Sequence, residues 1–548
     1  MADRTMYELV RERTPQYAER TAVDFLGHRI RFPRMLDEID RAADGLTRAG
    51  VGPDDVVTLC LPNTPHAVVA FYAANRIGCV ANMVHPLSPP EELSRSMVGA
   101  HSRVLVILDA FLPKHRERLA KDGVRLVVAC SLPDYLPAVK AALFSATSGR
   151  KIPKVVEGAG LLRWRSLFRK GPVAPYGPRT LPDGPAVYLH SGGTTGSPKT
   201  VVLSSMNFNL LALEGPAIIG VEDTAGQSMV SILPFFHGFG LCMGMHAMIV
   251  NGITAILVPK YSAEELAHVV RKTRPTLMAG VPTLFDGMAS NPKLRKVDLS
   301  SLQAVFCGGD SLPVDLKRRF DAFLKAHGAT CTLREGYGLT ETVTVCCVNP
   351  VVGDREGTVG LPLHGMRMCV VEPGTERILP FGQNGEICVH SPTTMLGYLD
   401  DPQATDEALH VHADGRTWVH TGDFGSMDED GYVRFVQRLK RIIKVSGVPV
   451  FPSQVEDTVM EMPEIASACA VGVPDPHRMQ TVQLHVVPNA GVSADEALRE
   501  RILAHCRENL LVYAVPTSVL FRDRMPLTLV GKIDAKALER ESVQEVRP

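Results

Sequence analysis

The stretch Val187–Leu203, VYLHSGGTTGSPKTVVL, decides how the rest of the chain is read. An apolar run rich in β-branched and aromatic residues leads into Gly192, Gly193, Thr194, Thr195 and Gly196. Ser197, Pro198 and Lys199 close that loop before a second apolar run begins. The pattern predicts a strand, a polar loop and another strand. Glycines lack a Cβ and let backbone approach a ligand, and consecutive N–H groups in such a loop converge on an anion. Ser191, Thr194, Thr195 and Ser197 add hydroxyl donors, and Lys199 adds a point charge. The set suits a polyphosphate. It is not a Walker A loop, because Pro198 precedes Lys199 and no Gly-Lys-Ser/Thr triplet follows. Alone, it would read as an ordinary glycine-rich hairpin.

Four further motifs follow in order: EGYGLTET (335–342), TGD (421–423), QRLKRIIKVSG (437–447) and GKID (531–534). Upstream lie PDDVVTLCLPN (53–63) and NMVHPLSPPEEL (82–93). Together with SGGTTGSPKT, these make the sequence resemble the adenylate-forming superfamily over nearly its whole length. That superfamily includes acyl-CoA synthetases, the adenylation domains of peptide synthetases, and luciferases.

Some roles are suggested by residue chemistry. Tyr337, between Gly336 and Gly338, offers a flat face for a purine, Thr340 a hydroxyl for phosphate, and Glu341 a hard oxygen ligand suited to Mg²⁺. Others are implied by the resemblance alone. The SGGTTG loop and Lys199 would bind ATP phosphates, and Gly308 and Gly309, at the end of LQAVFCGGDSLP, would lay backbone against adenine. His237 would stand near the reacting carboxylate, Asp423 would hold the ribose, and Arg438 would contact the nucleotide. Lys440 would be the hinge, Lys444, Ser446 and Gly447 would serve the CoA step, and Lys532 would be the adenylation lysine. Without that context, His237 reads as a satisfied core histidine, Gly422-Asp423 as a surface turn, and Gln437–Lys444 as solvated charge.

The sequence also departs from the usual pattern. The loop has Gly192 where a hydroxyl residue is common and Thr200 where glycine is common. After Val471–Asp475, His477–Gln480 stand where Gly-Glu is usual.

The chain of 548 residues exceeds the usual single-domain size. Its first part alternates helical patterns with short β-rich runs such as Val56–Leu61 and Arg125–Ala129, which predicts an α/β layer fold with largely parallel strands. The expected architecture is α/β: a large multi-layer N-terminal domain over 1–439, holding the ATP and acyl sites, and a small mobile α+β C-terminal domain over 440–548. Ser453 with Glu456, and Ser493 with Glu496, have capping-box spacing at two expected helix starts.

A net charge of −1 argues against a nucleic-acid partner. Twelve cysteines form no CxxC pair, and the charged N-terminus lacks the apolar core of a secretory signal, so a cytoplasmic location is expected. The apolar stretch Met229–Val258 is interrupted by Pro234, His237, His246 and Asn251 and reads as buried strand, helix and strand rather than a membrane span. Between Ala138 and Lys170, eight basic residues interleave with apolar ones against a single acid, Glu157. The default reading is a solvated basic excursion with its apolar side on the domain, and the alternative is a segment resting on an anionic membrane.

The expected function is a carboxylate–CoA ligase using ATP, Mg²⁺ and coenzyme A and passing through acyl-AMP. Apolar stretches around His237, Val281–Phe285 and Thr342–Val348 point to a hydrophobic acid, first a medium- or long-chain fatty acid, then an aryl or sterol-like acid. Acyl loading of a carrier protein is an alternative, and a nucleotide sensor without turnover is another class.

Overall fold

The computed structural model describes residues 3–169, 181–191, 199–221, 223–260, 262–475, 477–528 and 532–545. Gly192, Gly193, Thr194, Thr195, Gly196, Ser197, Pro198 and Gly531 lie outside the described residues. By packing, the chain divides into two units, Met1–Arg367 with Val389–Val419, and Met368–Cys388 with His420–Pro548. This division falls elsewhere than between Leu439 and Lys440. We propose Leu439–Lys440 as the boundary between a large N-terminal domain, 1–439, and a small C-terminal domain, 440–548.

The first unit holds two large sheets. In one, the order is Gly397–Tyr398, Thr200–Ser204, Pro185–His190, Val80–Met83, Val56–Cys60, Val104–Leu108, Leu126–Cys130 and Leu161–Arg163. The run from Pro185–His190 to Leu161–Arg163 is parallel. Val104–Leu108 and Leu126–Cys130 are buried throughout, as strands covered on both faces must be, which is why they read as unbroken apolar runs. The helix Pro65–Ile77 is likewise buried at every position. The second sheet runs Leu361–Pro362, Val345–Val348, Leu333–Gly338, Ala304–Cys307, Leu277–Gly280, Ser228–Ser231, Thr254–Leu257, Thr21–Phe25 and His28–Arg31.

The stretch 229–258 forms the expected strand, helix and strand, except that its helical part opens as a π-helix over Phe239–His246. Among the described residues, no helix is long and apolar enough to cross a membrane. The helix Val314–Ala326 buries Leu316, Phe320 and Leu324 on one face.

The second unit contains a five-stranded sheet, Val448–Val450, Ile443–Val445, Met479–Pro488 and Ile465–Asp475, with Ser518–Phe521 parallel to Met479–Pro488. Helices Pro452–Met460 and Glu496–Asn509 bury Val455, Val459, Leu498, Ile502 and Cys506 in its core. Both expected capping boxes are corrected. Pro452 occupies the first helical position, so Phe451 is the cap residue; Ser453 lies inside the helix, and Glu456 accepts from Arg441 and from the N–H of Ala470. At the second helix, Asp495 captures the N–H of Leu498 at 2.9 Å and starts the helix two residues beyond Ser493.

The basic segment 138–170 splits in two. Trp164 and Leu167 are buried, as the default reading expects. The helix Ala138–Ala146 has no buried residue, and Val139 and Leu143 are exposed at 82% and 64%.

Candidate active site

The strands Pro185–His190 and Thr200–Ser204 pair antiparallel with His190 opposite Thr200, and Ser191 N–H donates to Lys199 O at 2.9 Å. The hairpin therefore closes on itself just before and just after the loop. His190 fixes this neck. Asn82 gives its amide N–H to Thr58 at 3.0 Å, so its carbonyl oxygen accepts from His190 Nε2 at 2.8 Å. That tautomer leaves Nδ1 to accept the Thr200 hydroxyl at 3.3 Å. Burial pushes the His190 imidazole down to about 4, which keeps it neutral and keeps that lone pair available. The departure at Thr200 thus has a structural use: its hydroxyl ties the loop's exit to its entry.

Lys199 lies 4.6 Å over the Tyr398 ring, and the Tyr398 hydroxyl donates to Glu341 Oε1 at 2.7 Å. Tyr398 arrives through the short strand Gly397–Tyr398, which pairs with Thr200–Ser204, and Met395 N–H donates to the Glu341 carbonyl at 2.7 Å. Lys199 and Glu341 are brought together by a residue that the sequence reading missed. A lone Gly-Tyr pair carries no spacing signal, and only the strand pairing gives it meaning.

Gly308 and Gly309 follow the strand Ala304–Cys307, which runs parallel to Leu333–Gly338 with Cys307 opposite Glu335. Gly308-Gly309 and Tyr337-Gly338 therefore lie at the carboxyl ends of neighbouring parallel strands, where α/β folds bind ligands. A Cβ on Gly308 would come within 3.0 Å of the Gly336 carbonyl and 3.4 Å of the Phe239 ring. The EGYG motif is itself strand, and Thr340–Thr342 form the 3₁₀ turn after it. Val343, fully buried, follows with φ of 68°, a conformation costly for a β-branched residue.

Val343 explains the position of His237. A Cβ on Gly238 would overlap the Val343 carbonyl oxygen, so only glycine lets the 236–239 segment close against the Thr340–Thr342 turn. From the other side, Asn63 donates to the carbonyls of Ser231 and Leu233 at 2.9 and 2.8 Å and accepts the N–H of Phe235 at 3.1 Å. The Phe236 ring meets His85 edge-on at 4.5 Å and lies tilted to His237 at 5.0 Å between ring centres. Beneath the site, Glu335 is buried, accepts the N–H of Leu312 at 3.3 Å, and is pushed by burial from 4.5 to about 8. Asn63, His85, Glu335 and Val343 carry no residue-type signal for these tasks.

In the second unit, the TGD and QR motifs meet in the antiparallel pair Thr417–Met427 and Val433–Arg438, with Asp423 opposite Arg438. Arg438 Nε lies 2.8 Å from the Asp423 carboxylate, which is 1% exposed. The Thr421 hydroxyl donates to Ile387 O at 2.6 Å and accepts the Asp423 N–H at 3.0 Å, which sets the turn. Lys440 is exposed in the 3₁₀ turn Leu439–Arg441. Ser446 and Gly447 form the two-residue tip of a hairpin, with φ of 52° and 81°, the I′ pattern that favours glycine. The unusual segment 477–480 packs on that hairpin. Ser446 N–H donates to Arg478 O at 2.7 Å, and Gln480 Oε1 accepts the Lys444 N–H at 2.9 Å. Thr528 N–H donates to the Lys532 carbonyl at 2.7 Å.

Known proteins give the same reading of the whole chain. The family model described as AMP-binding enzyme matches residues 10–399, and that described as AMP-binding enzyme C-terminal domain matches 454–532. The chain belongs to the AMP-binding enzyme family. It is 31% identical over 550 residues to the long-chain-fatty-acid–CoA ligase of Bacillus subtilis strain 168, covering 99% of this chain and 96% of that protein. It is 30% identical over 516 residues to a feruloyl-CoA synthase of Amycolatopsis sp, covering 94% of each. Among solved structures, ATP-bound MatB from Rhodopseudomonas palustris is 25% identical, with 98% of each chain covered and a TM-score of 0.83. The anthranilate CoA ligase AuaEII in complex with anthranoyl-AMP shares the fold at a TM-score of 0.85 and 21% identity, over 100% of this chain and 99% of that one.

Proposed function

We propose that this enzyme is an AMP-forming carboxylate–CoA ligase acting on a medium- or long-chain fatty acid. The observation that carries the reading is the whole-length relation to the B. subtilis long-chain-fatty-acid–CoA ligase. In the first half-reaction a carboxylate oxygen attacks the α-phosphorus of ATP and pyrophosphate leaves; in the second the CoA thiol attacks the acyl carbon and AMP leaves. The first step depends on positioning and charge neutralisation.

In this proposal the loop Ser191–Lys199 holds the phosphates, with its neck set by His190 and Thr200. Gly308, Gly309, Tyr337 and Gly338 receive the adenine, and Asp423 and Arg438 serve the rest of the nucleotide. Lys532 neutralises charge as it gathers at the α-phosphate. Glu341, held by Tyr398, is a hard oxygen donor whose chemistry fits Mg²⁺, and Thr340 offers its hydroxyl to a phosphate. When bound, the ion would neutralise charge on the leaving pyrophosphate. His237, fixed by Gly238 and Asn63, faces the acid in this reading. Lys444, Ser446 and Gly447 serve the thioester step. Twelve cysteine thiols, eleven of them buried, suit the cytoplasmic location that belongs to the same proposal.

An aryl acid is the second reading, favoured by the relation to a feruloyl-CoA synthase. Pyrophosphate release measured over a panel of fatty, aryl and amino acids tests both, with CoA and a phosphopantetheinyl carrier protein as competing acceptors. Turnover is expected with fatty acids and CoA. Selective activation of an amino acid, or thioester formed only on the carrier, would overturn the proposal.

A further inference from the structure

We propose that the helix Ala138–Ala146 and the basic loop after it form a docking face for an anionic lipid bilayer. The helix reads AVKAALFSA, seven of its nine residues are exposed, and its main packing partners are the 3₁₀ turns on either side, Leu132–Asp134 and Ser148–Lys151. Val139 and Leu143 are one turn apart and point to the same side. A helix this short is marginal in water by itself, and an apolar face turned to solvent marks a contact surface.

Charge selects the partner. Lys140, Arg150, Lys151 and Lys154 lie in a run with no acid between Tyr135 and Val156, and Val156 adds a third apolar side chain at 74% exposure. The Lys140 ammonium is held at the surface by the Leu26 carbonyl at 2.6 Å, with Lys272 beside it. The acid that ends the run, Glu157, is already engaged by Ser166 and by Arg169 at 3.0 Å. Exposed apolar side chains in a run whose charges are all basic match the boundary between anionic headgroups and acyl chains, where burial and charge attraction add. A second copy of the chain docked through the same face would set these basic residues against each other. Trp164 and Leu167 of the same basic stretch are not available: both are buried, and Leu167 packs on Gly45 while its carbonyl accepts from Arg48 at 2.9 Å.

Vesicle flotation tests this on the full chain, using phosphatidylcholine vesicles with and without phosphatidylglycerol. The variants are Val139→Ser with Leu143→Ser, and Arg150→Glu with Lys151→Glu and Lys154→Glu. Val352→Ser, at a position 88% exposed outside the patch, is the control. Wild type is expected to float with the anionic vesicles, at least tenfold less with neutral ones, and less as salt rises. Either patch variant should lower flotation about tenfold or more, while the control floats as wild type does. Unchanged ATP–pyrophosphate exchange on a water-soluble acid without vesicles would show that the variants are folded. No flotation of wild type, equal flotation on both vesicles, or flotation indifferent to the patch variants would overturn the proposal. So would a concentration-dependent dimer that Val139→Ser with Leu143→Ser disperses in place of vesicle binding.

Discussion

At the scale of single residues, the Lys199, Tyr398 and Glu341 contacts set the sharpest expectations. Glu341→Gln removes a hard anionic donor and should lower acyl-AMP formation by two orders of magnitude or more, with added Mg²⁺ failing to restore it. Recovery to wild-type rates at high Mg²⁺ would show that Glu341 has another task. Tyr398→Phe deletes one hydrogen bond to a charged group and should cost about 1.5–3 kcal/mol of transition-state stabilisation, read as kcat/KM for ATP. Thr200 separates a positioning role from a structural one. Thr200→Val keeps the branched shape but leaves His190 Nδ1 without its donor, at a cost of about 1–3 kcal/mol. The KM for ATP should rise while Thr200→Ser stays near wild type, and equal effects of the two substitutions would remove the hydroxyl from the account.

Two elements carry consequences of their own. The strand Leu333–Gly338 buries Glu335, whose carboxyl holds its proton up to about pH 8 in the folded chain but only to its ordinary value of 4.5 when unfolded. Between those values the folded state binds more protons, so this group's contribution to stability is complete at low pH and falls as pH rises from about 4.5 through 8. Glu335→Gln should flatten that slope, measured as the difference in thermal midpoint between variant and wild type across the range. Parallel profiles would contradict the assignment. The hairpin Ile443–Val450 leans on Gln480 through the Lys444 N–H. Gln480→Ala should slow thioester formation from supplied acyl-AMP and CoA several-fold and leave acyl-AMP synthesis intact, a split that general destabilisation does not produce.

For the whole molecule, the proposal assigns two half-reactions to different segments of the C-terminal region, with Lys440 as the hinge. Lys532→Ala should abolish acyl-AMP formation and still convert supplied acyl-AMP and CoA to thioester. Gly447→Leu should do the reverse. Its positive φ adds roughly 1–2 kcal/mol of strain to a leucine, so its thermal midpoint belongs beside its rates. Lys440→Pro, which fixes φ at the hinge, should resemble Gly447→Leu. If all three variants lose both steps in equal proportion, the division of labour is wrong.

The sequence by itself determined the α/β class, the strand on each side of the SGGTTG loop, and the membership that five ordered motifs carry. Strands such as Val104–Leu108 are legible because full burial on both faces leaves an unbroken apolar run, and Leu498, Ile502 and Cys506 are legible because one helical face repeats every turn. Tertiary structure alone decided the rest. Tyr398 reaches Glu341 through a strand pairing almost 200 residues from its partner in sequence, a distance no local pattern spans. Gly238 is required by the Val343 carbonyl, and the neutral tautomer of His190 by Asn82. The caps of two helices moved because Pro452 and Asp495 compete better for the first turn than the serines with the right spacing. Exposure of Val139 and Leu143 was equally invisible, since an apolar helix reads the same whether its face meets a core or water.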